Sequence, residues 1–432
     1  MARFTRKVGF RQVDLPEGAP TKRIEVKEYA LPFARAAFPT RAVLRLTTPR
    51  LGTRPVNAVF AEHPLESGGE ASSRIVALHG RTVFESVDLG ASWNEIPVES
   101  EHPLELSFTT STGHNITATQ PMADEADTET RTVIRRYDAQ WRPAGAPFTA
   151  RSPWHGTASI GEADGVIMFA EYPLNRDKYP AFDNSGLSRA TRLLSSPRVY
   201  RSRDDGLTWE VALELPLDRV RHLHTCMPEP GRPGRWWLTS GDRYDEVHVW
   251  VTDDHGETWR EITSHAVSTP LHESCRPVSS QRMTDHVFHD GWMLWGADDI
   301  LGKEPLYGTG EHPRVGSRIF RARTDGPFVP EAIGFCGPPM RSIVDLGPAF
   351  LFASEAKKPE VTARPRTFLV FKDELDRVHP FVEMDNYGPS GTGFTYSRHS
   401  RKARDGVFFS YRGATDVFPH SPRVLRWEIE FR

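Results

Sequence analysis

Cysteine is scarce in this chain of 432 residues, which contains only Cys226, Cys275 and Cys336. Three cysteines are too few for a disulfide framework, so we expect a reducing, cytoplasmic environment. No run of about 18 apolar residues is present, which argues against a membrane-spanning helix. The basic residues 1–7 lead into no apolar stretch, so no signal peptide is predicted.

Net charge and helical periodicity are also low. The formal net charge of -3 gives no electrostatic footprint for nucleic acid. An anionic substrate stays possible, because its site needs only local arginines. Long stretches of helical period are missing, whereas short apolar runs alternate with turn clusters along a sequence with 33 Gly and 35 Pro. This pattern predicts an all-β protein with many short strands.

One eight-residue pattern occurs three times. Residues 86–93, 202–209 and 252–259 each read Ser/Thr-x-Asp-x-Gly-x-Ser/Thr-Trp, and each follows a β-rich run. An Asp in such a turn accepts hydrogen bonds from its own backbone, and Gly adopts the positive φ of a tight hairpin. The Trp then begins the next strand and buries a large apolar surface.

The repeated pattern resembles the Asp-box of the sialidase-like β-propeller superfamily. The resemblance implies that each copy joins the two outer strands of a blade. It therefore concerns the fold and says little about chemistry. We interpret its acidic residues as turn residues: Asp88, Asp204 and Asp254.

Weaker copies extend the series along the chain. The strand-like runs are marked by residues 83, 133, 199, 249, 319, 368 and 424. Such spacing suits one four-stranded blade per repeat and predicts a single β-propeller domain of seven blades, with six as the alternative. We expect residues 1–45 to add an extra strand that closes the ring. Insertions at 173–197 and 300–317 should cover one mouth of the channel.

The most specific candidate site is the segment from Arg221 to Cys226, Arg-His-Leu-His-Thr-Cys. Alternation along a strand places His222, His224 and Cys226 on one face. The two histidines could be metal ligands, or a base and the group that orients it. One of them could instead be structural. A lone buried Cys is more often a small apolar filler than a ligand.

Acidic residues follow several apolar strands that we expect to line the channel. They are Glu171, Asp242, Asp298 and Glu355. If these ends share one mouth, the acids form a ring suited to acid–base catalysis on a sugar. The same ring would suit a divalent cation. The alternative for each acid is a structural ion pair or a turn.

Four further residues are candidate substrate contacts: His155, Arg276, Arg341 and Tyr396. An arginine could clamp a carboxylate, although surface placement is the alternative for each of them. Core packing is the alternative for the tyrosine. True sialidases carry an Arg-Ile-Pro motif, where this chain has Arg23-Ile24-Glu25, and no arginine triad can be placed. The resemblance therefore does not carry sialidase chemistry.

Three functions remain open from the sequence. The first is a glycoside hydrolase acting on an acidic or modified glycan, with the strand-end acids as catalysts. The second is a polysaccharide lyase, in which a histidine removes the proton α to a uronate carboxylate. The third is a non-catalytic propeller that binds a glycan or a protein. We expect a carbohydrate ligand, no nucleic acid and no membrane, and His222 and His224 as candidate metal ligands.

Overall fold

The computed structural model describes these parts of the chain: 11–13, 21–30, 41–49, 58–61, 74–119, 131–173, 196–216, 219–241, 246–263, 281–298, 317–337, 339–354, 366–383, 401–403, 406–412 and 423–431. The predicted insertions lie almost wholly outside these ranges. Within the ranges, no helix has the length and apolarity needed to cross a membrane. The regular structure there consists of β-strands.

The strands are short, as the turn-rich sequence predicted. They are β1 (Arg11–Val13), β2 (Thr21–Ala30), β3 (Arg41–Pro49), β4 (Ala58–Ala61), β5 (Ile75–His79), β6 (Thr82–Ser86), β7 (Asn94–Pro97), β8 (Leu104–Thr109), β9 (Asn115–Thr119), β10 (Thr132–Tyr137), β11 (Phe148–Ala150), β12 (Ile160–Ala163), β13 (Val166–Ala170), β14 (Arg198–Ser202), β15 (Glu210–Glu214), β16 (Leu223–Pro228), β17 (Trp236–Ser240), β18 (Val249–Thr252), β19 (Arg260–Glu261), β20 (Met283–His289), β21 (Trp292–Ala297), β22 (Ser317–Arg323), β23 (Glu331–Gly337), β24 (Met340–Asp345), β25 (Ala349–Ser354), β26 (Arg366–Phe371), β27 (His379–Glu383), β28 (Val407–Arg412) and β29 (Arg423–Phe431).

These strands form seven sheets in the described parts of the chain. Six are four-stranded antiparallel meanders: β4–β7, β8–β11, β12–β15, β16–β19, β20–β23 and β24–β27. The seventh has five strands in the order β1-β2-β3-β29-β28. First strands of neighbouring sheets contact one another, as in the pairs β28–β4, β4–β8, β12–β16, β16–β20 and β20–β24. Successive four-stranded meanders that contact one another through their first strands are typical of a β-propeller.

The seventh sheet differs from the expectation. Residues 1–45 were predicted to add one strand, and residue 424 was placed in a third strand. In the structure β29 is the second strand of its sheet, and the chain before residue 50 supplies the three strands β3, β2 and β1. The register pairs Trp427 with Leu46. Spacing alone misplaced residue 424 because the third strand of this sheet comes from the opposite end of the chain.

The repeated turns form as the sequence indicated. Asp88 accepts hydrogen bonds from Ser92 N at 2.9 Å and from Ser92 Oγ at 2.6 Å. Leu89 and Gly90 both have positive φ, 56° and 80°. The turn joins β6 to β7, the two outer strands of the sheet. We call this turn and its two equivalents the Asp turns, and the other two are centred on Asp204 and Asp254.

The apolar core lies between the faces of neighbouring sheets. Ile116 on β9 packs in one cluster with Ile167 and Phe169 on β13. Cys226 lies in another cluster, together with Val166 and Leu238. The cysteine therefore acts as the apolar filler that the sequence favoured over a ligand, and burial raises the pKa of its thiol.

The meander also determines which loops share a face. The start of each first strand pairs with the end of the second, as in Leu223 with Ser240, Met283 with Ala297 and Met340 with Ser354. Residues just before the first strands and just after the second strands therefore lie at one face. The Asp turns follow the third strands, so they lie at the opposite face.

Candidate functional site

Irregular pairing marks the first strands of four sheets near their starts. Strand register shifts between Leu104/Leu106, Leu223/Thr225, Met283/His286 and Met340/Ser342. A bulge redirects a side chain away from the regular alternation, and bulges are enriched beside active sites. The residues that the strand register skips are Glu105, His224, Thr284, Asp285 and Arg341.

His222 and His224 come together at the start of β16. Their Nε2 atoms lie 3.1 Å apart, and both side chains are buried. Nδ1 of His224 lies 3.0 Å from the main-chain oxygen of Met283 on the next sheet.

Electrostatics keep both rings neutral. Burial, Arg282 and Arg341 lower the pKa of His224 to about 3, although Asp298 opposes the shift. Burial, His224 and Arg221 lower the pKa of His222 well below its usual value. A buried imidazole beside guanidinium groups loses its proton because the charged form is neither solvated nor balanced.

A stack of rings connects the buried pair to the surface. The Tyr172 ring stacks on His222 with centroids 3.9 Å apart, and His155 stacks on the other side of Tyr172 at 3.9 Å. His155 and Tyr172 are partly exposed. The sequence singled out His155 but missed Tyr172, which directly follows Glu171.

Three arginines accompany the rings from three successive sheets. Arg221 precedes β16, Arg282 precedes β20, and Arg341 is the second residue of β24. Nη2 of Arg282 lies 3.2 Å from Oδ2 of Asp298, and Nη1 of Arg341 contacts the same oxygen. Of these three arginines, the sequence analysis selected only Arg341 as a candidate substrate contact. We call the combined set the histidine–arginine face: His155, Tyr172, Arg221, His222, His224, Arg282, Asp298 and Arg341.

Glu171 is buried but turned toward main-chain donors. Its Oε1 accepts hydrogen bonds from the N–H groups of Arg151 and Ser152 at 2.9 and 3.0 Å. Its Oε2 accepts from Arg198 N at 3.1 Å. Burial raises the pKa of Glu171 to about 7 despite these bonds. The carboxylate fixes the loop before β12 against β14, and its catalytic role stays a prediction.

The predicted ring of acids is represented by two described members. Asp298 is fully buried and bound by two arginines, which suits it to position guanidinium groups. Asp242, Glu355, Arg276 and Tyr396 lie outside the described residues. Among the described residues, no group of three His, Cys, Asp or Glu side chains could hold a metal ion. His222 and His224 supply only two nitrogens.

A second buried polar cluster, which the sequence analysis missed, is centred on Asp285 in β20. Asp285 accepts from Ile343 N at 2.8 Å and from Nη1 of Arg401 at 2.6 Å. Nη2 of Arg401 donates to the main-chain oxygen of His286 at 2.7 Å. These bonds tie the segment before β28 to the sheet of β20. The buried His286 ring has no hydrogen-bond partner for either nitrogen within the described ranges.

No protein-family model matches the chain, and no curated protein matches it. Solved structures do resemble it. A chain of the Mitotic Checkpoint Complex gives a TM-score of 0.50 at 7% identity, over 98% of this chain and 99% of that one. The Niastella koreensis GH74 enzyme gives 0.48 at 10% identity, over 80% of this chain and 50% of that one. The WD40 beta propeller domain of Doa1 gives 0.44 at 11% identity, over 88% and 94%. The chain thus spans half the length of the GH74 enzyme, and at such identities the likeness concerns the fold alone.

Proposed function

We propose that this chain is a carbohydrate-active β-propeller enzyme that binds an anionic sugar at the histidine–arginine face and cleaves it by β-elimination. One observation carries the proposal. Neutral imidazoles lie beside guanidinium groups from successive sheets, as the lowered pKa values of His222 and His224 indicate. By contrast, Glu171 accepts buried main-chain hydrogen bonds, and Asp298 is held in a buried ion pair.

The chemistry of elimination matches these groups. A base removes the proton at C5 of a uronate, the electron pair forms the C4–C5 double bond, and the C4–O bond breaks. The departing oxygen takes up a proton, so the reaction needs a base, an acid and a cation. A neutral histidine can accept the proton, and a guanidinium stabilises the charge that develops on the carboxylate. We assign the protonation of the leaving oxygen to Tyr172, which is partly exposed and stacked on His222.

Substrate charge also brings the base into its working range. Without ligand, burial and the neighbouring Arg221 hold the pKa of His222 low. A carboxylate bound at the arginines adds an opposite charge, which favours the protonated imidazole. The pKa of the base therefore rises when the substrate that needs it is present.

Hydrolysis is the second candidate, and Glu171 favours it. A carboxyl group with a pKa of about 7 can serve as a general acid at neutral pH. A hydrolase would need a second carboxylate facing the first across the sugar. The sequence offers Asp242 and Glu355 for that role.

The deciding experiment measures products on a panel of polyuronates and neutral polysaccharides. Elimination creates an unsaturated uronate that absorbs in the ultraviolet, and we expect this absorbance with polyuronates only. His222→Gln should abolish it, and Asp254→Asn at the opposite face is the matched control that should retain it. New reducing ends without absorbance would replace elimination by hydrolysis. Binding without any product would make the chain a non-catalytic binding protein.

We further propose that the seven sheets close into one ring of the sialidase-like type. Contacts between β28 and β4 support closure, as does a parallel bridge from Asp345 in the sixth sheet to Lys402 in the segment before β28. Deleting residues 1–49 would remove three strands of the seventh sheet and expose β29 as an edge. We expect the truncated chain to lose cooperative unfolding. Unchanged unfolding would contradict ring closure through this sheet.

A further inference from the structure

The hydrogen bond between His224 and Met283 fixes where one proton lies. The main-chain oxygen of Met283 can only accept, so Nδ1 of His224, 3.0 Å away, must donate. A neutral imidazole carries one N–H, and therefore Nε2 of His224 holds a lone pair. The ring is neutral because it is buried beside Arg282 and Arg341.

The proton on the second ring follows from the first. Nε2 of His222 lies 3.1 Å from Nε2 of His224. Since the latter nitrogen is an acceptor, His222 must donate from Nε2. A neutral His222 then holds its lone pair on Nδ1. The two histidines are thus opposite tautomers, ordered by a single carbonyl group on the neighbouring sheet.

The backbone of His224 is also held firmly. Ser159 Oγ donates to the main-chain oxygen of His224, and Cys226 N donates to Ala158 O at 2.8 Å. These bonds attach the bulge to the sheet of β12, while the ring is bound to Met283 on the sheet of β20. His224 is therefore fixed from both neighbouring sheets, which limits rotation of its ring.

We propose that His224 is a positioning residue, which fixes the tautomer of His222 with the proton on Nε2 and the lone pair on Nδ1, the buried atom to which the proposed elimination assigns the substrate proton. The role of Nδ1 as the base rests on the proposed elimination. The tautomer itself does not, because it follows from the two hydrogen bonds.

The test is nuclear magnetic resonance on the whole chain with ¹⁵N-labelled histidine. A hydrogen bond between two ring nitrogens transmits an N–N coupling, and we expect this coupling between His222 and His224. Long-range ¹⁵N–¹H correlations should show the proton on Nε2 of His222 and on Nδ1 of His224. A proton on Nδ1 of His222 would overturn the proposal. Two unprotonated Nε2 atoms would also overturn it, since that pattern belongs to a shared metal ion.

Two variants separate positioning from packing. In His224→Gln the side-chain amide reaches the place of Nε2 and can still accept from His222, so we expect the same His222 tautomer and turnover within about tenfold of the unmodified chain. His224→Ala removes the acceptor, and His222 should then exchange between tautomers with turnover about a hundredfold lower. Equal loss in both variants, with an unchanged His222 spectrum, would contradict the positioning role.

The spectra test the tautomer and the turnover tests the elimination, so either claim can be contradicted without the other. If the coupling and the opposite tautomers are present but no polyuronate yields an unsaturated product, the proposed elimination is wrong and the tautomer assignment stands. If product forms while His222 carries its proton on Nδ1, elimination stands and the assignment of the base is wrong.

Discussion

The two faces of the propeller differ in how far their residues and bonds repeat from sheet to sheet. At the face of the Asp turns, the same bonds recur, with Asp Oδ1 2.9 Å from the main-chain N–H at Ser92, Thr208 and Thr258. At the histidine–arginine face, equivalent bulge positions carry different residues: Glu105, His224 and Arg341. Repetition along the chain therefore marks structure in this molecule, and departure from the repeat marks the candidate site.

The two faces also differ in how deeply their charged groups are buried. The acids of the Asp turns are largely solvated and bonded within their own turn. The charged groups of the other face are buried and bonded between sheets, such as Asp298 with Arg282 and Arg341. A buried charge is costly unless it is paired.

The largest expected effect is a loss of stability when the buried ion pairs of the histidine–arginine face are broken. Asp298→Ala would leave Arg282 and Arg341 buried without their shared carboxylate, and we expect a loss of about 3–5 kcal/mol in the free energy of unfolding. Chemical denaturation measures it, with Asp298→Asn as a control that keeps the shape but loses the charge. A loss below about 1 kcal/mol would show that the arginines do not depend on this acid.

Acid should destabilise the folded chain through the buried His286. Burial and Arg401 lower the pKa of His286 to about 3, below the 6.5 of a free imidazole. The unfolded chain therefore binds the proton first, so the stability contributed above pH 6.5 is lost as the pH falls toward 3. His286→Leu should remove this loss, and its advantage over the unmodified chain should grow by about 2 kcal/mol between pH 6.5 and pH 5. Parallel stability curves for the two proteins would show that His286 is already protonated or solvated when folded.

The Asp turns should affect stability and leave the ligand site unchanged. Asp204→Ala removes the acceptor of Thr208 N and Oγ1, and we expect a loss of about 1–2 kcal/mol in the free energy of unfolding. Asp204→Asn keeps one acceptor and should lose less. Ligand affinity, measured by calorimetry, should stay unchanged in both. An Asp204 variant that folds but no longer binds ligand would break the division between the faces.

The smallest effect concerns exposed ion pairs between sheets at the Asp-turn face. Arg203 pairs with Glu257 of the next sheet, and the two side chains are 46% and 57% exposed. Exposed pairs contribute little in water, so Arg203→Ala should change the free energy of unfolding by about 0.5 kcal/mol or less. A change as large as that of Asp204→Ala would show that surface charge, rather than turn geometry, joins the sheets at this face.

The repetitive half of this comparison is what the sequence could predict. Residues 83, 133, 199, 249, 319 and 368 all lie on third strands. Turn chemistry is local, so a short pattern suffices to identify it. The composition of the seventh sheet was missed because it depends on pairing between residues separated by nearly the whole chain, such as Leu46 and Trp427.

The candidate site was predicted only in part, for a related reason. The spacing of His222 and His224 placed them together, and their contact in the structure agrees. The sequence analysis assigned no role of their own to Arg221 and Arg282, because nothing in the local sequence marks either arginine as buried. Their burial depends on the neighbouring sheet, and the bulges that redirect His224 and Arg341 depend on cross-strand register. Neither can be read along a single strand.

A structure with a bound uronate oligosaccharide tests the central claim most directly. We predict that the sugar lies at the histidine–arginine face, with its carboxylate in hydrogen-bond contact with the guanidinium of Arg282 or Arg341 and a uronate C5 near Nδ1 of His222. A sugar bound among the Asp turns, or one whose carboxylate faces solvent away from both arginines, would contradict the assignment of function to this face.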